Sequence, residues 1–105
     1  MSVNYSATLG YGFLIDSNEC VNMHDEKYES FVESEYYLCI DAYCDNPTIF
    51  FGLTIFNLDP GEAANVPNIR KYDHKKFTEM MDEFKLYFPN RSDYLPRDYI
   101  MSCID

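Results

Sequence analysis

Residues 3–15 read VNYSATLGYGFLI, and this stretch decides the fold. Val3, Tyr5, Ala7, Leu9, Tyr11, Phe13 and Ile15 are apolar or aromatic, and Asn4, Ser6, Thr8, Gly10 and Gly12 stand between them. A period of two marks a strand with one buried face, because successive side chains point to opposite faces of a sheet. A helix would instead need apolar residues three and four apart. Gly10 and Gly12 both fall on the face away from the core. Glycine inside a strand marks a bulge, a bend or a close approach of another backbone. A strand bend is the expectation, since no helix start follows to make a phosphate loop.

Beyond this strand the period changes. Over residues 25–35, Tyr28, Phe31 and Val32 are spaced as one helical stripe. Tyr36, Leu38, Ile40 and Ala42 then alternate with Tyr37, Cys39, Asp41 and Tyr43, up to the turn signal of Asp45, Asn46 and Pro47. The run TIFFGLTIF at residues 48–56 completes a hairpin. It is rich in β-formers and apolar on both faces, which places it centrally in a sheet. Residues 57–72 hold Asn57, Asp59, Pro60, Gly61, Asn65, Pro67 and Asn68, the composition of a long loop.

Asp73 reads as a helix N-cap, and Phe77, Met80, Met81, Phe84 and Phe88 follow at helical spacing until Pro89. Residues 99–104 read as a last short strand. The order is βαββαβ in one α+β domain over residues 1–105. The expected architecture is an antiparallel sheet of three to four strands with both helices on one face. It is compatible with a ferredoxin-like split βαβ arrangement.

Composition excludes several classes. The chain is 47% hydrophobic and 17% aromatic, with ten Tyr and eight Phe, which supplies a core and argues against disorder. No stretch approaches a membrane span, and the first residues lack the basic patch and apolar run of a signal peptide. A cytoplasmic location is expected, where Cys20, Cys39, Cys44 and Cys103 stay reduced. A metal or other cofactor is not expected. Cys39 and Cys44 are five apart on one expected strand and point to opposite faces, whereas zinc needs converging thiolates.

Enzyme chemistry lacks its usual signatures. No Ser-His-Asp order, Cys-His pairing, P-loop or HExxH occurs, so no catalytic residue is assigned. His24 lies beside Asp25, and His74 beside Asp73 reads as a surface residue at a helix start. Direct nucleic-acid binding is disfavoured, because Arg70, Lys71, Lys75 and Lys76 form only a local basic set. A small-molecule or nucleotide-binding domain is the alternative, with an aromatic pocket of Tyr11, Phe13, Tyr36 and Tyr43.

Charge narrows the field further. The net charge is −10, and residues 1–66 carry eleven acids against Lys27 alone. Residues 67–105 balance seven acids with seven bases. On the first helix, Asp25, Glu29, Glu33 and Glu26 fall within an arc of about 100° beside the apolar stripe. Like charges four apart destabilise a helix by about 0.2–0.5 kcal/mol per pair. Neighbouring Cβ atoms along such a row lie about 5–6 Å apart, of the order of phosphate spacing along a nucleic-acid strand.

Three readings of the acidic surface stand open. It is a solvated face that only confers solubility, in a structural or interaction protein. It imitates phosphates and occupies the basic groove of a nucleic-acid-binding protein, with Glu35, Asp41 and Asp45 extending the row. Or Asp41, Asp45, Asp59 and Glu19 converge on a hard divalent ion, although no EF-hand loop is present. In size, acidity and tyrosine content the chain resembles small phage- or mobile-element-encoded inhibitors, among them anti-restriction, anti-CRISPR and uracil-DNA glycosylase inhibitor proteins. That resemblance implies a non-enzymatic partner binder acting in a host cytoplasm, and the oligomeric state, monomer or dimer, stays open.

Overall fold

A computed structural model of the protein describes residues 5–21, 23–40, 48–59, 61 and 73–104. It is an α+β structure. The elements are β1 (Tyr5–Asp16), a 3-10 turn (Ser17–Cys20), α1 (Asp25–Glu33), β2 (Tyr37–Cys39), β3 (Thr48–Leu58), α2 (His74–Tyr87) and β4 (Arg97–Ile104). The four strands form one antiparallel sheet in the order β2-β3-β1-β4.

The alternation in β1 sets this arrangement. Phe13 and Ile15 point to the helix-covered face, where they meet Ile49, Phe51 and Leu53 of β3. Both helices add to that single core: Phe31 from α1, and Met80, Phe84 and Tyr87 from α2. Phe31 has no exposed surface and touches the rings of Tyr37, Phe51, Tyr87 and Phe88. A buried aromatic that meets four rings from outside its own helix fixes α1 over the β2–β3 side of the sheet, since offset and edge-on contacts are directional.

The glycines act as the period implied. Pairing of β1 with β3 shifts register between Leu9 and Gly10, leaving Ile55 as the extra residue of a bulge. Gly12 and Gly52 are direct register partners. A Cβ on Gly52 would lie 2.5 Å from the Tyr11 carbonyl oxygen, and one on Gly12 would strike the Phe51 carbonyl. Neither strand tolerates a side chain at this crossing. The sheet curls here, and Phe50, on the face opposite Phe51, lies over Gly10 and Gly52 beside Met101 and Tyr99. Phe50 is thereby buried although, among the described residues, no helix covers that face.

Polar ends are tied down. Asp16 and Glu19 form a reciprocal capping box on the 3-10 turn, with Asn18 N donating to Asp16 Oδ1 (3.0 Å) and Asp16 N to Glu19 Oε2 (2.9 Å). Asp73 caps α2 as expected, accepting from Lys75 N at 2.8 Å. Thr8, a buried polar residue, donates its hydroxyl to Asn57 at 2.7 Å.

Several boundaries and faces differ from the sequence expectation. The stripe of α1 narrows to Phe31, with Tyr28 42% and Val32 37% exposed. The strand expected over residues 36–43 is only Tyr37–Cys39, and residues 41–47 lie outside the described part. β3 runs on to Leu58, so Asn57 belongs to a strand rather than to the loop. Residues 62–72, most of that expected loop, lie outside the described residues, as does Cys44. Tyr87, absent from the expected stripe of α2, is buried.

Candidate partner-binding surface

The candidate surface is built on α1. Asp25, Glu26, Glu29 and Glu33 are all exposed along it, and Glu35 is exposed just beyond its end. Asp41 and Asp45 lie outside the described residues. The helix starts at His24, which makes no side-chain cap bond, so Asp25 and Glu26 supply the favourable charge at the N-terminus. Glu33 has the opposite setting. It sits in the last turn, where the helix dipole is negative and no basic residue offsets it.

Beyond Glu33 the chain turns at Ser34, and two hydrogen bonds join this corner to α2. Ser34 Oγ donates to Glu83 Oε1 at 3.1 Å, and the Tyr36 hydroxyl donates to Glu79 Oε2 at 3.3 Å. The carboxylates of α2 are therefore held beside the C-terminal end of the α1 row. Asp82 is exposed on the same helix, and Glu79, Asp82 and Glu83 span an arc of about 100°.

Sequence reasoning missed these three, because the balanced charge of residues 67–105 hid a local cluster. Their spacing of three and four was the available signal.

The phenols around this corner hold their protons tightly. Burial pushes the Tyr36 hydroxyl well above the usual tyrosine value, and the carboxylates of Glu35 and Glu79 add to the effect. Burial, with the nearby Cys39, Tyr28 and Cys20, pushes Tyr37 up to about 12. Tyr87 is raised by burial and by Glu83. At neutral pH all three stay protonated, and Tyr36 uses its proton to hold the Glu79 carboxylate.

Other expected sites are placed as follows. Phe13 and Tyr36, from the aromatic row, are buried in the core, Tyr11 stacks on Phe77 at 5.7 Å, and Tyr43 lies outside the described residues. An open cleft of about 390 Å³ instead lies between Glu19, Met23, Lys27, Phe88 and Arg91. A second, of about 420 Å³, adjoins it between Glu26 and Ser30 of α1 and Leu86 of α2. Of the expected cation ligands, Glu19 is engaged by Arg91 Nη1 at 3.1 Å. Among the described residues no group of three or more His, Cys, Asp or Glu could hold a metal ion. Cys20 and Cys39 are free thiols, and burial raises the Cys20 value.

No helix among the described residues is long and apolar enough to cross a membrane. Comparison with known proteins gave no match: no family model fits the chain, and no curated protein or solved structure is significantly similar to it.

Proposed function

We propose that the protein is a non-enzymatic binding protein whose acidic helix face occupies the basic groove of a nucleic-acid-binding protein, imitating phosphates and so inhibiting it. The partner is a protein rather than nucleic acid or membrane, and the site of action is the cytoplasm, of the host if the chain is phage-encoded. The contact set is Asp25, Glu26, Glu29, Glu33 and Glu35, with Asp41 and Asp45 from the sequence, and Glu79, Asp82 and Glu83 of α2 added.

One observation carries this reading. Asp25 and Glu26 at the N-terminus of α1 are explained by the helix dipole alone, but Glu29 and Glu33 are not. They stand four apart, and Glu33 lies at the negative end of the helix with acidic neighbours. Each of these placements disfavours the helix by tenths of a kcal/mol, of the order of 0.2–1 in all. Interspersed lysines would give solubility without that cost.

The fold reading goes with it. Element order βαββαβ and strand order β2-β3-β1-β4 support a ferredoxin-like split βαβ frame, which leaves α1 on the outer side of its sheet.

Capture from host lysate tests the proposal, with the natural chain and a Glu29→Lys/Glu33→Lys double variant as parallel baits. Enrichment of one nuclease, glycosylase or polymerase by the natural bait, lost with the variant, supports it. Equal capture by both baits, or a copurifying small ligand, contradicts it.

A further inference from the structure

We infer that the outer edge of β4 is a self-association surface, through which two copies of the chain pair antiparallel about a two-fold axis at Ile100. The inner edge of β4 is paired with β1 along its whole length, from Tyr5↔Ile104 to Gly12↔Arg97, without a bulge. Among the described residues no strand pairs with its outer edge. An edge strand of eight residues offers a row of backbone donors and acceptors that natural proteins guard with charge, proline or a bulge. From Tyr99 to Ile104 the strand has neither charge nor proline.

Ile100 marks the centre. It is 83% exposed, more than any other described large hydrophobic residue, and it stands beside Leu9 on the helix-bearing face, beyond the cover of α2. An antiparallel pair centred there sets Ile100 against Ile100 of the second copy. Tyr99 then meets Met101, Asp98 meets Ser102 and Arg97 meets Cys103, so no like charges face each other. Opposed side chains in such a pair lie about 4.5–5.5 Å apart, within contact distance.

The edge itself favours a second copy as the occupant, since paired about Ile100 it opposes apolar residues and sets no like charges together. Two copies carrying −10 each repel at long range, but β4 holds only Arg97 and Asp98, which balance. β4 and β2 are the opposite edges of the sheet, and α1 packs against β2. The dimer therefore carries its two acidic helices at its outer ends. The inference rests on β4 alone and is independent of what α1 contacts.

Sedimentation of the full chain over a wide concentration range tests it. The natural chain should reach the dimer mass. Ile100→Lys should weaken association at least about tenfold, as should Ile100→Glu, since either sets like charges against each other. Both variants should keep the circular dichroism and melting of the natural chain, because the residue is exposed. An equimolar mixture of the two should recover the dimer. A natural chain that stays at the monomer mass overturns the inference. So does association unchanged by either variant, or a mixture that stays monomeric.

Discussion

The rings of Phe13 and Phe84 stack 3.8 Å apart with planes 3° from parallel, joining β1 to α2 across the centre of the core. Phe84 has no exposed surface and also touches Phe51, Phe88 and Tyr94. Docking of α2 depends on this ring more than on any polar contact. Phe84→Ala should cost about 3–5 kcal/mol, from lost burial and the cavity left behind. For a domain of this size the melting temperature should fall by roughly 12 °C or more. A melting curve within a few degrees of the natural chain would show that α2 is not docked through Phe84.

Arg91 covers the edge of that stack. Its guanidinium lies 5.3 Å from the Phe84 ring centre and 5.9 Å from that of Phe13, and it donates to the Leu14 carbonyl at 3.3 Å and to Glu19 at 3.1 Å. The Glu19 side chain is 40% exposed, so the ion pair itself is worth about 0–1 kcal/mol. Contact with two rings adds about 0.5–2 kcal/mol, depending on desolvation. Arg91→Ala should therefore destabilise more than Glu19→Gln, which keeps the acceptor for Asp16 N. Urea unfolding of both variants would reveal this order, and equal losses would contradict it.

Alkaline pH should unfold the protein through its buried phenols. Tyr36, Tyr37 and Tyr87 all have values raised in the folded state, Tyr37 to about 12. A raised value means that the folded state holds the proton more tightly than the unfolded chain. The contribution is then fully present below about pH 10, the ordinary tyrosine value, and is lost as pH rises through the folded values. Stability should be flat just below pH 10 and fall steeply toward pH 12. Phenolate absorbance followed during titration should show a late, cooperative group among the ten tyrosines. Ten phenols ionising together near pH 10 would contradict the burial described.

Much of the fold was legible because its signals were local. The period of two in β1, and Asp73 with the Phe77, Met80 and Phe84 spacing of α2, each specify an element without reference to the rest. Packing depth was less legible. Tyr28 and Val32 share a stripe with Phe31, yet α1 lies over the sheet edge, where β2 is only three residues long and gives them no layer to enter. β3 was legible as apolar on both faces, but the cover of Phe50 by Gly10, Gly52, Met101 and Tyr99 depends on a curl that no short window encodes.

The acidic row of α1 was legible from spacing. Its junction with Glu79 and Glu83 was not, because Ser34 and Tyr36 reach them across more than forty residues.

The central claim is that the exposed carboxylates of α1 steer the protein onto a basic partner. Charges at the rim of an interface act mainly on the association rate, and salt screens them over about 8–10 Å. The direct measurement is the association rate of the captured partner with the natural chain and with the Glu29→Lys/Glu33→Lys variant, at low and at high salt. The rate should fall at least about tenfold on reversal, the difference should shrink at high salt, and added DNA should compete for the partner. The variant should melt no lower than the natural chain, because like-charge strain in α1 is relieved. A partner that binds the variant as fast as the natural chain at low salt would contradict the account, leaving the row a solvated face.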